Sequence, residues 1–222
     1  MADLVLPNIP DEIICKIIAL ARDESFWHVA SFMRAEKRGY GLVHDPLVLK
    51  TCNISPMLNF VNIEIGIYGK FRDFFLKCVN AGNINAVYLE GLHLASVLGL
   101  ANAIHALQQN IPTHRTSTIS VGIFDVCHGN DIEASKVFQE FGANHKGFMS
   151  EAIFDMADEL EWRLTVFGAP NLNTYGPTFK FPDDEVIKPP QCHYGHDGTH
   201  DFEGSCKYCR LFWICCNVCH ML

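Results

Sequence analysis

The apolar positions in residues 9–20, IPDEIICKIIAL, recur at helical rather than strand spacing. At about 100° per residue, Leu20, Ile13, Ile17, Ala21, Ile14 and Ile18 cover an arc of roughly 160°. A helix that rests one face on a core commonly presents a stripe only somewhat wider than about 100°. Leaving a large aliphatic side chain in water forfeits roughly 1.5–3 kcal/mol. Summed over the four isoleucines and the leucine of this arc, that rivals the roughly 5–15 kcal/mol that holds a whole domain together. A unit of a few short helices is too small to hide all of it. Either the rest of the chain or a second protein has to cover the remainder.

The same period runs through most of the chain. Pro10, Asp11 and Glu12 suit the first turn of that helix, because Pro needs no hydrogen-bond partner there and the acids face the positive end of the dipole. A second helix begins near Ser25, with Phe26, Val29, Ala30 and Met33 at i, i+3, i+4 and i+7. RAEKRG reads as a basic break, and Asp45-Pro46 supplies an N-cap and N1 pair for a third short helix, DPLVLK. In KFRDFFLKCVNAGN, Phe71, Phe74, Phe75, Cys78 and Val79 share one face, and Ala81-Gly82 ends the element.

Two helix pairs follow, NINAVYLEGLHLASVLG with LANAIHALQQ and TSTISVGIFDVCHGN with DIEASKVFQEFGAN. A shift of 31 residues sets Gly91 on Gly122, Leu92 on Ile123, Ala103 on Ala134, Leu107 on Phe138 and Gln108 on Gln139. This reads as an internal repeat of helical hairpins, the mark of a solenoid, or as two amphipathic pairs that share a pattern. A longer helix over residues 150–167 carries Ile153, Ala157, Leu160 and Leu164. Residues 168–191 hold Pro170, Gly176, Pro177, Pro182, Pro189 and Pro190 and read as extended. Phe179 and Phe181 favour wrapping over linking. The expected fold is all-α: a three-helix unit in residues 1–52, a solenoid-like helical-repeat region in 66–167, an extended segment in 168–191 and an irregular Cys/His-rich tail in 192–222.

Composition narrows the function classes. A net charge of -8 argues against a nucleic-acid partner, which needs a basic face. No run reaches the roughly 18 apolar residues of a membrane span, and MADLVLPNIPDE lacks a basic n-region. The expected location is intracellular, nucleus and/or cytoplasm. Ten cysteines there are thiols or metal ligands. Cys15, Cys52, Cys78 and Cys127 stand singly in apolar patterns as small buried hydrophobes. The other six fall between Cys192 and Cys219. Cys206-x2-Cys209 and Cys216-x2-Cys219 pair as C-x2-C units able to hold a structural zinc. Cys192, His200 and His220 are alternate donors, and a set of Cys192, His200, Cys206 and Cys209 is equally open, as is a tail of packed thiols. No phosphate loop, dinucleotide fingerprint, GxSxG elbow or HExxH pair appears, so catalysis is not expected.

Ile9-Pro10-Asp11-Glu12-Ile13-Ile14, Ile17, Phe26 through Met33, Lys37-Arg38, Val43 and Asp45-Pro46 together resemble an F-box, over about residues 6–50. That resemblance implies docking on a Skp-type adaptor, and through it a cullin, by Ile9, Pro10, Ile13, Ile14, Ile17, Val29, Phe32 and Met33. Two positions depart from the family pattern. Ile9-Pro10 stands for Leu-Pro, and Gly39-Tyr40 follows the basic pair where a tryptophan is usual, which is expected to weaken packing of the third helix. Ala86, Gly91 and Ala103, echoed at Gly122 and Ala134, resemble Sel-type repeats, relatives of the tetratricopeptide repeat. The whole chain is similar to plant F-box proteins with helical repeats and a cysteine-rich end. The implied role is the substrate-recognition subunit of a Skp-cullin-F-box ubiquitin ligase, with the repeats holding an unidentified protein target. The alternative is a zinc-stabilised helical-repeat scaffold with a degenerate F-box.

Overall fold

The computed structural model describes residues 6, 8–24, 26–58, 64–145, 152–190 and 207–222. Among the described residues there are eleven α-helices and no strand, so the chain is all-α as its periodicity implies. No described helix is long and apolar enough to cross a membrane. The chain divides into two compact units, Met1–Leu89 and Glu90–Leu222.

The first unit opens with α1 (Asp11–Glu24), α2 (Phe26–Met33), α3 (Glu36–Val43) and α4 (Pro46–Lys50), then a 3-10 turn at Ser55–Leu58 and α5 (Arg72–Asn80). Residues 11–50 thus hold four helices where the pattern predicts three. The basic break is the start of α3. Its buried face is Gly39 and Val43, four residues apart, and glycine does not register in an apolar count. It is there because α2 and α3 touch at that point: a Cβ on Gly39 would lie 2.3 Å from the Phe32 carbonyl oxygen. Asp45 caps α4 as expected, its carboxylate accepting from the Leu47 N–H at 2.9 Å, with Pro46 in the first turn. Phe74, Phe75 and Cys78 form the buried face of α5, and Gly82 turns the chain out of it at φ 76°.

Sequence reading places α5 at the head of the helical-repeat region, but it packs with the first unit. Buried Asn83 explains this. Its Nδ2 donates to the Leu49 and Cys52 carbonyls at 3.0 and 2.9 Å, at the end of α4, while its Oδ1 accepts from the Ala86 N–H at 3.1 Å. Asn83 therefore ties α4 to α6 (Ile84–Val97) in one step. Lys77 adds a surface link, donating to the Tyr40 hydroxyl at 3.2 Å.

The second unit contains the rest of α6, then α7 (Leu100–Leu107), α8 (Arg115–His128), α9 (Asp131–Asn144), α10 (Ala152–Val166) and α11 (Lys207–Met221). Both ends of α6 and the start of α7 recur 31 residues later, in α8 and α9. One packing contact recurs with them. A Cβ on Gly91 would lie 2.4 Å from Leu107, and a Cβ on Gly122 would lie 2.4 Å from Phe138. Each glycine lets the large side chain of the next helix sit against its backbone.

Helix α8 is buried along Ser117–Cys127 without a break, packed by α7, α9, α10 and α11. The extended segment adds hydrogen bonds at several helix ends, where backbone groups run short of intrahelical partners. Lys180 N–H and Thr178 Oγ1 donate to the Val126 and Cys127 carbonyls of α8 at 3.0 and 2.7 Å. Asn171 and Asn173 N–H groups cap the Met221 and His220 carbonyls of α11 at 2.7 and 3.2 Å, and the Tyr175 hydroxyl accepts from the Leu100 N–H at the start of α7 at 3.1 Å. Asp184 accepts from Ser135 of α9 and from its own Val186 and Ile187 N–H groups, and these bonds hold its carboxyl below the usual range. Phe181 is buried between Phe138 and Phe212.

Residues 207–221, expected to be irregular, form α11. Leu211, Ile214, Cys215, Val218 and Leu222 recur at i, i+3, i+4, i+7 and i+11, and all are buried. Counting these cysteines as apolar restores the helical period that a metal-ligand reading hides.

Two predictions test this packing. Asn83→Ala removes three hydrogen bonds and leaves carbonyls without their donor, so urea unfolding is expected to show a loss of about 2–4 kcal/mol. Asp125 is buried in α8, and burial pushes its carboxyl above the usual range against the opposing bond from Asn130 Nδ2 at 3.1 Å. A raised carboxyl favours the folded state when protonated, so its contribution falls as pH rises through the ordinary carboxylate range. Asp125→Asn keeps the acceptor without the charge. It is expected to raise stability at pH 7, with the gain shrinking toward pH 4 in thermal unfolding.

Candidate docking surface

Helix α1 settles where its wide apolar arc points. Ile14 and Ile18 are 1% and 0% exposed, and Ala21 beside them is half-buried. Ile13, Ile17 and Leu20 are 43%, 44% and 72% exposed. These three stand at i, i+4 and i+7, so they form one continuous stripe along about two turns. Within the first unit the arc splits lengthwise into a half that packs and a half that faces outward.

The elements around α1 hold this orientation. Pro10 starts the helix, its carbonyl accepting from the Ile13 and Ile14 N–H groups at 3.0 and 3.2 Å. Arg38, in the first turn of α3, reaches back to that end: Nε donates to Asp11 Oδ1 at 2.8 Å and Nη2 to the Ile9 carbonyl. Arg38 thus closes α3 onto the start of α1. Val48 and Leu49 of α4 are buried, Gly39 permits the close α2–α3 contact, and Tyr40 stacks on His44 at 4.1 Å between ring centres.

The predicted docking residues divide accordingly. Ile13 and Ile17 lie on the outward stripe, Pro10 is exposed, and Ile9, Phe32 and Met33 are half-buried. Ile14 and Val29 are core residues, each 1% exposed. Leu20 was omitted from the predicted set although it is the most exposed member of the arc; its spacing from Ile13 and Ile17 is the signal that places it there. On another side of α1 an open groove of about 520 Å³ is lined by Asp11, Glu12, Cys15, Lys16, Leu42, Asp45, Leu47 and Val48.

The predicted zinc ligands meet a different geometry. Cys206, Cys192 and His200 lie outside the described residues. Cys209, Cys216 and Cys219 all stand on α11, the first and last buried, with His220 exposed next to them. Seven residues of helix place about 10 Å of rise between Cys209 and Cys216. Two thiolates on one zinc, each about 2.3 Å from the ion, lie within about 4 Å of each other. Cys209 and Cys216, both on α11, are spaced along the helix axis by more than that. Among the described residues no group of three or more His, Cys, Asp or Glu is placed to hold a metal ion. The alternate set of Cys192, His200, Cys206 and Cys209 draws three of its four members from outside them.

Compared with known proteins, the chain matches no family model, no curated protein and no solved structure.

Proposed function

We propose that this chain is a non-catalytic recognition subunit of a Skp-cullin-F-box ubiquitin ligase. Its first unit docks a Skp-type adaptor through Ile13, Ile17 and Leu20, with Phe32 and Met33 at the edge. The lengthwise division of the α1 arc carries this reading. A helix that needed only an intramolecular core would show one apolar face, yet the second face here consists of three large aliphatic side chains in line. An apolar helix face laid into a partner's groove is a recurrent recognition mode, read as anchors at this spacing. The F-box resemblance of residues 6–50 names the partner. The unit Glu90–Leu222 holds the protein target, and the ligase gains by proximity: a bound target sits where ubiquitin is delivered.

Co-purification of the full chain with a Skp-type adaptor tests the reading. Wild type is expected to bind. Ile13→Asp with Ile17→Asp places two carboxylates in the apolar contact, which is expected to weaken binding by more than about 100-fold. Ile132→Asp, on an exposed aliphatic of α9, serves as the control and is expected to bind as wild type does. Failure of wild type to bind, or full binding by the double variant, rejects this assignment.

A further inference from the structure

Helices α3, α4 and α5 of the first unit border a second open groove, of about 390 Å³, which shares no lining residue with the groove beside α1. Its polar side chains are Tyr40 of α3, His44 at the end of that helix, and Lys77 and Asn80 of α5. Pro46 and Leu49 of α4 add apolar surface. No Asp or Glu lines the groove, in a chain whose net charge is -8.

The polar groups are held in place by the fold itself. His44 Nδ1 donates to the Tyr40 carbonyl at 2.7 Å, its ring centre lies 4.1 Å from that of Tyr40, and Phe74 meets it edge-on at 6.1 Å. Lys77 Nζ donates to the Tyr40 hydroxyl at 3.2 Å and stands 5.4 Å from the centre of the same ring. An ammonium has three N–H donors and a phenol one O–H. The Tyr40 hydroxyl accepts from Lys77, so its own proton remains to be given, and Lys77 keeps two. Two donors thus stand side by side. Acids close in sequence do not neutralise them. The Asp45 carboxylate is turned to the Leu47 N–H as the cap of α4. Asp73, one turn before Lys77 on α5, is exposed, and among the described residues no ion pair joins the two.

Two adjacent donors, one of them charged, suit a single carboxylate, and charge-assisted bonds are the stronger kind. One cation balances one negative charge, whereas a phosphoryl group brings about -1.5 to -2. Beside the donors, the Tyr40–His44 ring pair and Leu49 offer an apolar wall. An apolar lining with a few convergent polar groups, in roughly 300–1,000 Å³, is the usual make-up of a small-molecule pocket.

We propose that this groove binds a small aromatic monocarboxylate, its carboxylate on Lys77 Nζ and the Tyr40 hydroxyl and its ring against the Tyr40–His44 pair. The two donors lie 37 residues apart, on α3 and α5, so an occupied groove bridges these helices and stabilises the first unit by mass action. The site does not rest on the adaptor assignment, because none of its residues belongs to α1 or α2.

Phenylacetate titrated into the full chain, followed by heteronuclear NMR of the backbone amides, tests the assignment. Saturable shifts are expected at residues 40–49 and 77–81, with a Kd of about 1 mM. Benzyl alcohol, which lacks the charge, and acetate, which lacks the ring, are each expected to bind at least about 10-fold more weakly. Lys77→Met is expected to weaken phenylacetate about 10-fold, and Tyr40→Phe, which keeps the ring, about fivefold. The proposal is overturned if phenylacetate gives no saturable shift by about 20 mM, if the shifts fall elsewhere, if benzyl alcohol binds as well, if phenyl phosphate binds more tightly, or if Lys77→Met binds as wild type does. Binding of an N-blocked tetrapeptide ending in phenylalanine more than about 10-fold tighter than phenylacetate would assign the groove to a protein C-terminus and overturn the free acid. The compound series runs on wild type, so it decides the matter even if a variant fails to fold.

Discussion

A helix has one core-facing side, and α1 carries more apolar surface than one side can pack. The rest of the first unit is arranged around that mismatch. Ile14 and Ile18 face its interior, while Arg38 pins the start of α1 to α3 and fixes the rotation of the helix about its axis. Once that rotation is fixed, Ile13, Ile17 and Leu20 have nowhere to go but outward. A modest turn of α1 would bury them and expose Ile14 and Ile18 instead, so neither orientation hides the full arc. The outward stripe is a consequence of sequence and geometry together, and an exposed row of large aliphatics is the kind of surface that marks an interaction site.

The second unit solves its packing by different means. Glycine at two positions 31 residues apart lets Leu107 and Phe138 lie directly against a helix backbone, which brings neighbouring helices close enough to enclose α8. Irregular chain then does what further helices do elsewhere. Residues 168–190 donate N–H and hydroxyl groups to the ends of α8 and α11 and accept from the start of α7, at helix ends short of intrahelical partners. The prolines of this segment keep it from running on as a regular helix.

Much of this was legible before any coordinates. The presence of α1, α2 and α5, the Asp45-Pro46 cap and the 31-residue offset of helix starts all rest on local signals, either apolar spacing or a capping side chain. What escaped depends on contacts distant in sequence. Gly39 looks like a helix breaker until Phe32 is placed 2.3 Å from its missing Cβ. The cysteines of α11 read as ligands in a short motif, and the burial of Cys209, Cys215 and Cys219 follows from helix contacts that the motif does not carry. Within the docking set, Ile14 and Val29 could not be told from Ile13 and Ile17 by hydrophobicity, since all four belong to apolar helix faces. The rotation of α1, set by Arg38 and the α2–α3 crossing, makes the distinction, and it also brings Leu20 into the stripe.

The division of α1 into two faces is tested most directly by comparing Ile14→Ala with Ile13→Ala in urea unfolding of the isolated full chain. One substitution empties a packed site and the other trims a side chain already in water. The account predicts a loss of about 2–5 kcal/mol for Ile14→Ala and under about 1 kcal/mol for Ile13→Ala. Equal losses, or a larger one at Ile13, would mean that the chain itself covers the stripe and that no second protein is needed there.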